Sequence, residues 1–199
     1  KVKINVNKKW LGKVGSQISV KLMNGTKVAG EKTVNASAAK DGDAKTWEVS
    51  FEADKYDEAG KEIAYTVTES AIAGYEASVS GTAKTGFTLI NKDTEKVKIK
   101  VDKKWLGGVA DQVTISLLNG TIPYATKTID ASAAKSGDAK TWEVTFEAPK
   151  YNALGEEIAY TVTEAAVSGY KAAVSGDQKN GFTITNTQTG TEKFKVIKR

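Results

Sequence analysis

Six residues in this sequence continue runs of apolar residues although their own side chains are polar. The first run alternates Val2, Ile4, Val6, then Lys8, then Trp10. A second passes through Ile63, Tyr65 and Val67 to Glu69, and a third through Phe87 and Leu89 to Asn91. Lys103, Glu164 and Asn186 repeat all three, following Val101, Val162 and Ile184. In a strand with a two-residue period, each of these polar groups faces the side that its neighbours bury.

An amine, a carboxyl and a carboxamide together in an apolar interior permit one particular reaction. Burial disfavours charge, so it favours a neutral lysine amine, which is a nucleophile. A protonated carboxyl can donate to the amide oxygen, making its carbon more electrophilic, and can then carry protons while ammonia leaves. An amide is a poor electrophile, but effective molarities of about 10⁵ M or more for well-oriented groups make a slow single-turnover reaction feasible. Each residue also has a plainer reading. Lysine snorkels to water from strand ends, glutamate is solvated there, and asparagine caps turns. A buried Lys–Glu ion pair with Asn completing its hydrogen bonds is a further alternative.

Composition removes most competing chemistry. The 199 residues contain no Cys and no His, so thiolate nucleophiles, disulfides and the commonest general base and metal ligand are all missing. No cofactor and no metal site is expected. Asp41-Gly42-Asp43 resembles the start of a calcium loop, but its counterpart Ser136-Gly137-Asp138 has lost a carboxylate, and no full set of oxygen ligands follows. The net charge of +5 comes from lysines that alternate with apolar residues, as in Val97-Lys98-Ile99-Lys100. That pattern is a solvated sheet face without interleaved aromatics, so no nucleic-acid partner is expected. No apolar stretch is long enough to span a membrane, and no membrane contact is expected in this segment.

The elements that must position the six residues come in two copies. Lys8-Lys9-Trp10-Leu11-Gly12 recurs at Lys103-Lys104-Trp105-Leu106-Gly107, Gly42–Val49 recurs unchanged at Gly137–Val144, and Ile63–Glu69 recurs at Ile158–Glu164. The offset is 95 residues each time, so neither copy carries an insertion. Apolar residues make up 40% of the chain, enough for a unit of this length to bury its own core. Alternation dominates throughout. Asn24-Gly25 and Asn119-Gly120 read as hairpin turns because Asn and Gly tolerate positive φ. The segment from Asn35 to Lys45 reads as a surface excursion, and Pro123 and Pro149 fall outside the central strand patterns. Trp47, Trp142, Tyr65 and Tyr160 are in phase with the core. Tyr75 and Tyr170 are expected to pack at a sandwich corner, with exposed ligand contacts as the alternative.

About seven short strands per copy predict an all-β chain of two tandem antiparallel β-sandwich domains, residues 1–93 and 94–188. Residues 189–199 are expected to be a tail or the start of a further repeat, because Thr191–Val196 echoes Thr94–Ile99. On that reading the chain is a piece of a longer array. The join at Lys92–Lys96 has no flexible Gly, Pro or Ser tract, which predicts limited bending.

The ordered motifs KKW, YTVTE and FTLIN or FTITN, with Gly74-Tyr75 and Gly169-Tyr170 before the last strands, resemble the B-type repeat domains of Gram-positive collagen adhesins, the CnaB family. The resemblance implies inverse immunoglobulin-like sandwiches, each holding an intramolecular isopeptide bond between a first-strand Lys and a last-strand Asn. The implied bonds are Lys8–Asn91 and Lys103–Asn186, with Glu69 and Glu164 as the assisting proton shuttles. It also implies an extracellular structural spacer on the bacterial cell surface, cell-wall anchored in its parent protein, whose partners are the neighbouring repeats of the same chain. The alternative is an adhesive module that binds a host extracellular-matrix protein through exposed loops. A turnover enzyme would need a second constellation of convergent groups, which the sequence does not contain.

Overall fold

The computed structural model describes residues 1–190, so the echo at Thr191–Val196 lies outside the described residues. The chain forms two compact units. One comprises Lys1–Glu95 with Pro149–Glu157, and the other comprises Lys96–Ala148 with the residues from Ile158 onward.

In the first unit, strands β1 (Val2–Leu11), β5 (Asp43–Ala53), β7 (Tyr75–Thr82) and β8 (Gly86–Asp93) join a two-residue strand β4 (Ala39–Lys40) in one sheet. Its order is β4-β5-β1-β8-β7. Strands β2 (Gln17–Asn24), β3 (Lys27–Asn35) and β6 (Tyr65–Glu69) form the second sheet, ordered β3-β2-β6. The second unit repeats this with β9 (Lys96–Leu106) to β16 (Gly181–Gln188). Its sheets are ordered β12-β13-β9-β16-β15 and β11-β10-β14, with β10 at Gln112–Asn119, β11 at Ile122–Asp130, β12 at Ala134–Lys135, β13 at Asp138–Pro149, β14 at Tyr160–Glu164 and β15 at Tyr170–Asp177.

Alternation decides which face is buried. Ile4, Val6 and Trp10 of β1 meet Ile18, Val20 and Leu22 of β2, Trp47, Val49 and Phe51 of β5, and Phe87 and Leu89 of β8. Each large side chain so buried contributes about 1.5–3 kcal/mol relative to exposure. Trp10 packs edge-on against Trp47 and Tyr75, with ring centroids 5.1 and 5.2 Å away.

Several features depart from the pattern expected of the sequence. The central pairing of β1 with β8 is parallel, so the larger sheet is mixed. Each unit has eight strands, because β4 forms inside the expected excursion. There the Asn35 side chain accepts from the Ser37 amide, caps a 3₁₀ turn at Ala36–Ala38, and returns the chain against β5. Strand β7 escaped the alternation because every residue after Tyr75 is exposed, so neither face demands apolar side chains. In the β2–β3 hairpin only Gly25 takes positive φ, at 58°, while Asn24 stays in the strand. Pro123 sits in β11, an edge strand, beside a register shift.

Candidate functional site

The two sheets bring the three polar residues of each copy together. Lys8 lies on β1 and Asn91 on the adjacent β8, both facing the interior of the larger sheet. Glu69 is the last residue of β6, where it pairs with Val20 of β2, so it approaches from the opposite sheet. Lys8 is fully buried and Asn91 is 1% exposed. Lys103, Glu164 and Asn186 occupy the same places on β9, β14 and β16.

The Lys8 Nζ is 3.1 Å from Glu69 Oε2, and Lys103 Nζ is 3.4 Å from Glu164 Oε2. Lys103 Nζ also donates to its neighbour's carbonyl, Lys104 O, at 3.2 Å. Asn91 Nδ2 donates to Glu69 Oε1, and Asn186 Nδ2 donates to Glu164 Oε1 at 2.6 Å. The amide therefore turns its nitrogen, not its oxygen, to the carboxyl. This corrects the expectation that the glutamate would donate to the amide oxygen. Asn91 Oδ1 and Asn186 Oδ1 are buried and have no hydrogen-bond partner among the described residues.

Electrostatics follow from burial. Desolvation pulls the Lys8 amine from 10.5 down to about 8, against the opposing pull of the Glu69 carboxylate. Lys103 is lowered for the same reason, again opposed by its glutamate. An amine with pKa about 8 is roughly one-tenth neutral at pH 7, enough to supply a nucleophile. The carboxyl stands between amine and amide nitrogen, in reach of both. This arrangement can move a proton from an attacking amine to a departing ammonia.

One buried polar group of the first unit lies outside the residues singled out by the sequence. Asp93, assigned to the join, ends β8 with its carboxylate accepting from the amides of Lys13 and Glu95 at 3.2 and 2.8 Å. Its signal was available, since it continues the inward series Phe87, Leu89, Asn91. Gln188 takes the equivalent place in the second copy and accepts from Gly108 N at 2.6 Å. Tyr75 packs on Trp10 and donates its hydroxyl to Lys13 O at 3.0 Å, which is a corner-packing role. Among the described residues, no three acidic groups are gathered to hold a metal ion.

The model of the Cna protein B-type domain matches residues 4–92 and again residues 99–187. The collagen adhesin of Staphylococcus aureus is 29% identical over 196 residues, covering 94% of this chain but only 15% of that protein. A single B repeat unit of the S. aureus collagen-binding surface protein Cna covers 95% of this chain and 99% of its own, with 24% identity and a TM-score of 0.41. A shaft pilin, SpaA from Lactobacillus rhamnosus GG, as its D295N mutant, covers 96% of this chain and 99% of its own, with 14% identity and a TM-score of 0.34. Two successive family matches span nearly all of the sequence, and the chain accordingly belongs to the Cna protein B-type domain family as a tandem pair.

Proposed function

We propose that each domain is a load-bearing spacer of a bacterial surface adhesin or pilus-like protein, closed by its own amide cross-link. The bonds would join Lys8 to Asn91 and Lys103 to Asn186, with Glu69 and Glu164 carrying the protons. The observation that supports this most directly is the buried amine–carboxyl–carboxamide trio, repeated with the same partners in both copies. Lysine Nζ attacks the asparagine Cγ, the C–Nδ2 bond breaks, and the amine proton reaches the departing nitrogen through the glutamate. The products are a secondary amide and ammonia. The reaction is self-directed and ends after one turnover.

The mechanical reading rests on strand direction. Strands β1 and β8 are parallel neighbours, so pulling the two ends of a domain apart shears their hydrogen-bond ladder. A covalent bridge from Lys8 to Asn91 spans that ladder and leaves the strands between them unloaded. Closing a loop of this size also lowers unfolded-state entropy, by about 4–5 kcal/mol in the chain-entropy model. That suits an extracellular protein without disulfides.

A second reading, an adhesive module for a host matrix protein, draws on the name of the S. aureus relative, a collagen adhesin. Ile122 and Tyr124, well exposed on edge strand β11, would supply its contact surface. Intact mass decides the main reading. Loss of two ammonia molecules relative to the sequence is expected, and a mass equal to the sequence would leave only the buried ion pairs. Saturable binding to immobilised collagen would favour the second reading.

A further inference from the structure

Each unit buries two tryptophans of different standing. Trp47 Nε1 donates to Ala44 O and Trp142 Nε1 to Ala139 O, both at 3.1 Å. Trp10 Nε1 and Trp105 Nε1 are equally buried, yet neither has a hydrogen-bond partner among the described residues. Buried donors are nearly always paired, so the same orphan in both copies calls for an explanation.

Strand register places an acceptor beside each one. Trp10 is the direct partner of Asn91 in the parallel β1–β8 pairing, and Trp105 is the partner of Asn186 in β9–β16. Paired residues on neighbouring strands point to the same face, with the strands about 4.8 Å apart. The asparagine oxygen in each copy is itself buried and unpartnered, because the amide nitrogen has taken the glutamate. The same indole also lies against the nucleophile. Lys8 Nζ is 4.5 Å from the centre of the Trp10 ring, and Lys103 Nζ is 4.1 Å from that of Trp105.

We infer that Trp10 and Trp105 are the fourth members of the cross-linking sites, each supplying its indole N–H to the asparagine oxygen as that oxygen takes on charge. This rests on the cross-link reading and completes it. When Lys Nζ adds to Cγ, the C=O electron pair moves onto Oδ1, and the glutamate, facing Nδ2, cannot stabilise it. The indole is the neighbouring group with an unspent donor. When the C–Nδ2 bond breaks, the pair returns to the carbonyl and ammonia leaves with the proton that the glutamate delivers. A fixed donor aimed at developing charge in a water-free site acts mainly on the rate.

The test uses the full chain made by cell-free translation, with ammonia loss followed by mass spectrometry of each domain's cross-linked peptide over time. Benzothienylalanine at position 10 keeps the shape of the indole and replaces its N–H by sulfur. Closure of the first domain is expected to slow about a hundredfold, as for loss of one oxyanion donor, while the second domain closes at its usual rate. With 5-fluorotryptophan at position 10, which keeps the N–H, the first domain is expected to close at the unsubstituted rate. Equal rates for benzothienylalanine and tryptophan would overturn the inference and leave the cross-link reading standing. Equal slowing by both analogues would also overturn it, by assigning the effect to packing. An unsubstituted chain that never loses ammonia would remove the cross-link reading itself.

Discussion

Lys8 stands opposite Leu89, not Asn91, in the parallel pairing of β1 with β8. The two groups that would react are thus displaced by one two-residue step along neighbouring strands, and the long lysine side chain covers that step. Glu69 descends from the facing sheet onto the gap between them. The site consequently exists only when both sheets have closed on each other.

Removing the carboxyl should therefore block the bond in one domain alone. Glu69→Ala is expected to retain one ammonia in the intact mass, while Lys103–Asn186 still forms. The variant also leaves the Lys8 amine buried without its counter-ion, a change that costs about 3–5 kcal/mol in comparable buried pairs. Its first domain should melt well below the second. A Glu69→Ala chain that still loses two ammonia molecules would show that the carboxyl has no part in the reaction.

Bond formation should depend on pH through the amine. Because burial sets Lys8 near pKa 8, the neutral fraction rises about tenfold per pH unit well below that value and levels off above it. Closure rates of freshly synthesised chain, measured from pH 6 to pH 9.5, should follow that curve in the first domain. A rate independent of pH would mean that deprotonation of Lys8 does not limit the reaction.

A domain that cannot close should report the same titration as stability. In Asn91→Ala the Lys8 amine stays free, with a folded pKa near 8 below its unfolded 10.5. Below pH 8 both states hold the proton and the burial penalty is fully present. Between about pH 8 and 10.5 the unfolded state binds more protons, so stability rises with pH, by roughly 3 kcal/mol in all. Denaturant unfolding of this variant at pH 7.5 and 9.5 should show the higher midpoint at the higher pH, and a lower one would contradict the assignment.

Backbone demands differ sharply between two glycines of the first domain. Gly81 has φ of 95°, and a Cβ there would meet Gly86 O at 2.2 Å. Gly60 has φ of 78° with nothing within 4 Å of a Cβ. Gly60→Ala should cost about 1–2 kcal/mol from left-handed backbone alone, and Gly81→Ala distinctly more because the β7–β8 hairpin must also shift. Thermal melts in the Glu69→Ala background, where no cross-link masks the loss, should rank them in that order.

Much of this architecture was legible in the residues themselves. A strand's two-residue period ties each side chain's face to its parity, so Lys8, Glu69 and Asn91 could be assigned to the interior from their apolar neighbours. The constant 95-residue offset exposed the duplication without any structural knowledge. Strand β7 stayed hidden because an edge strand exposed on both faces carries no alternation. Asp93 was legible in principle, but its place at the join masked its inward parity.

The tertiary structure alone decided which strands are neighbours and how their residues line up. Pairing of β1 with β8 joins segments about 80 residues apart, and no local turn sets that register, as a hairpin does for β2 and β3. From it follow the partnership of Trp10 with Asn91, the two-residue offset of Lys8, and the space in which the amide turns its nitrogen to Glu69. The parity of a side chain is a local property of an extended backbone, whereas its partner across a sheet depends on how the whole chain closes.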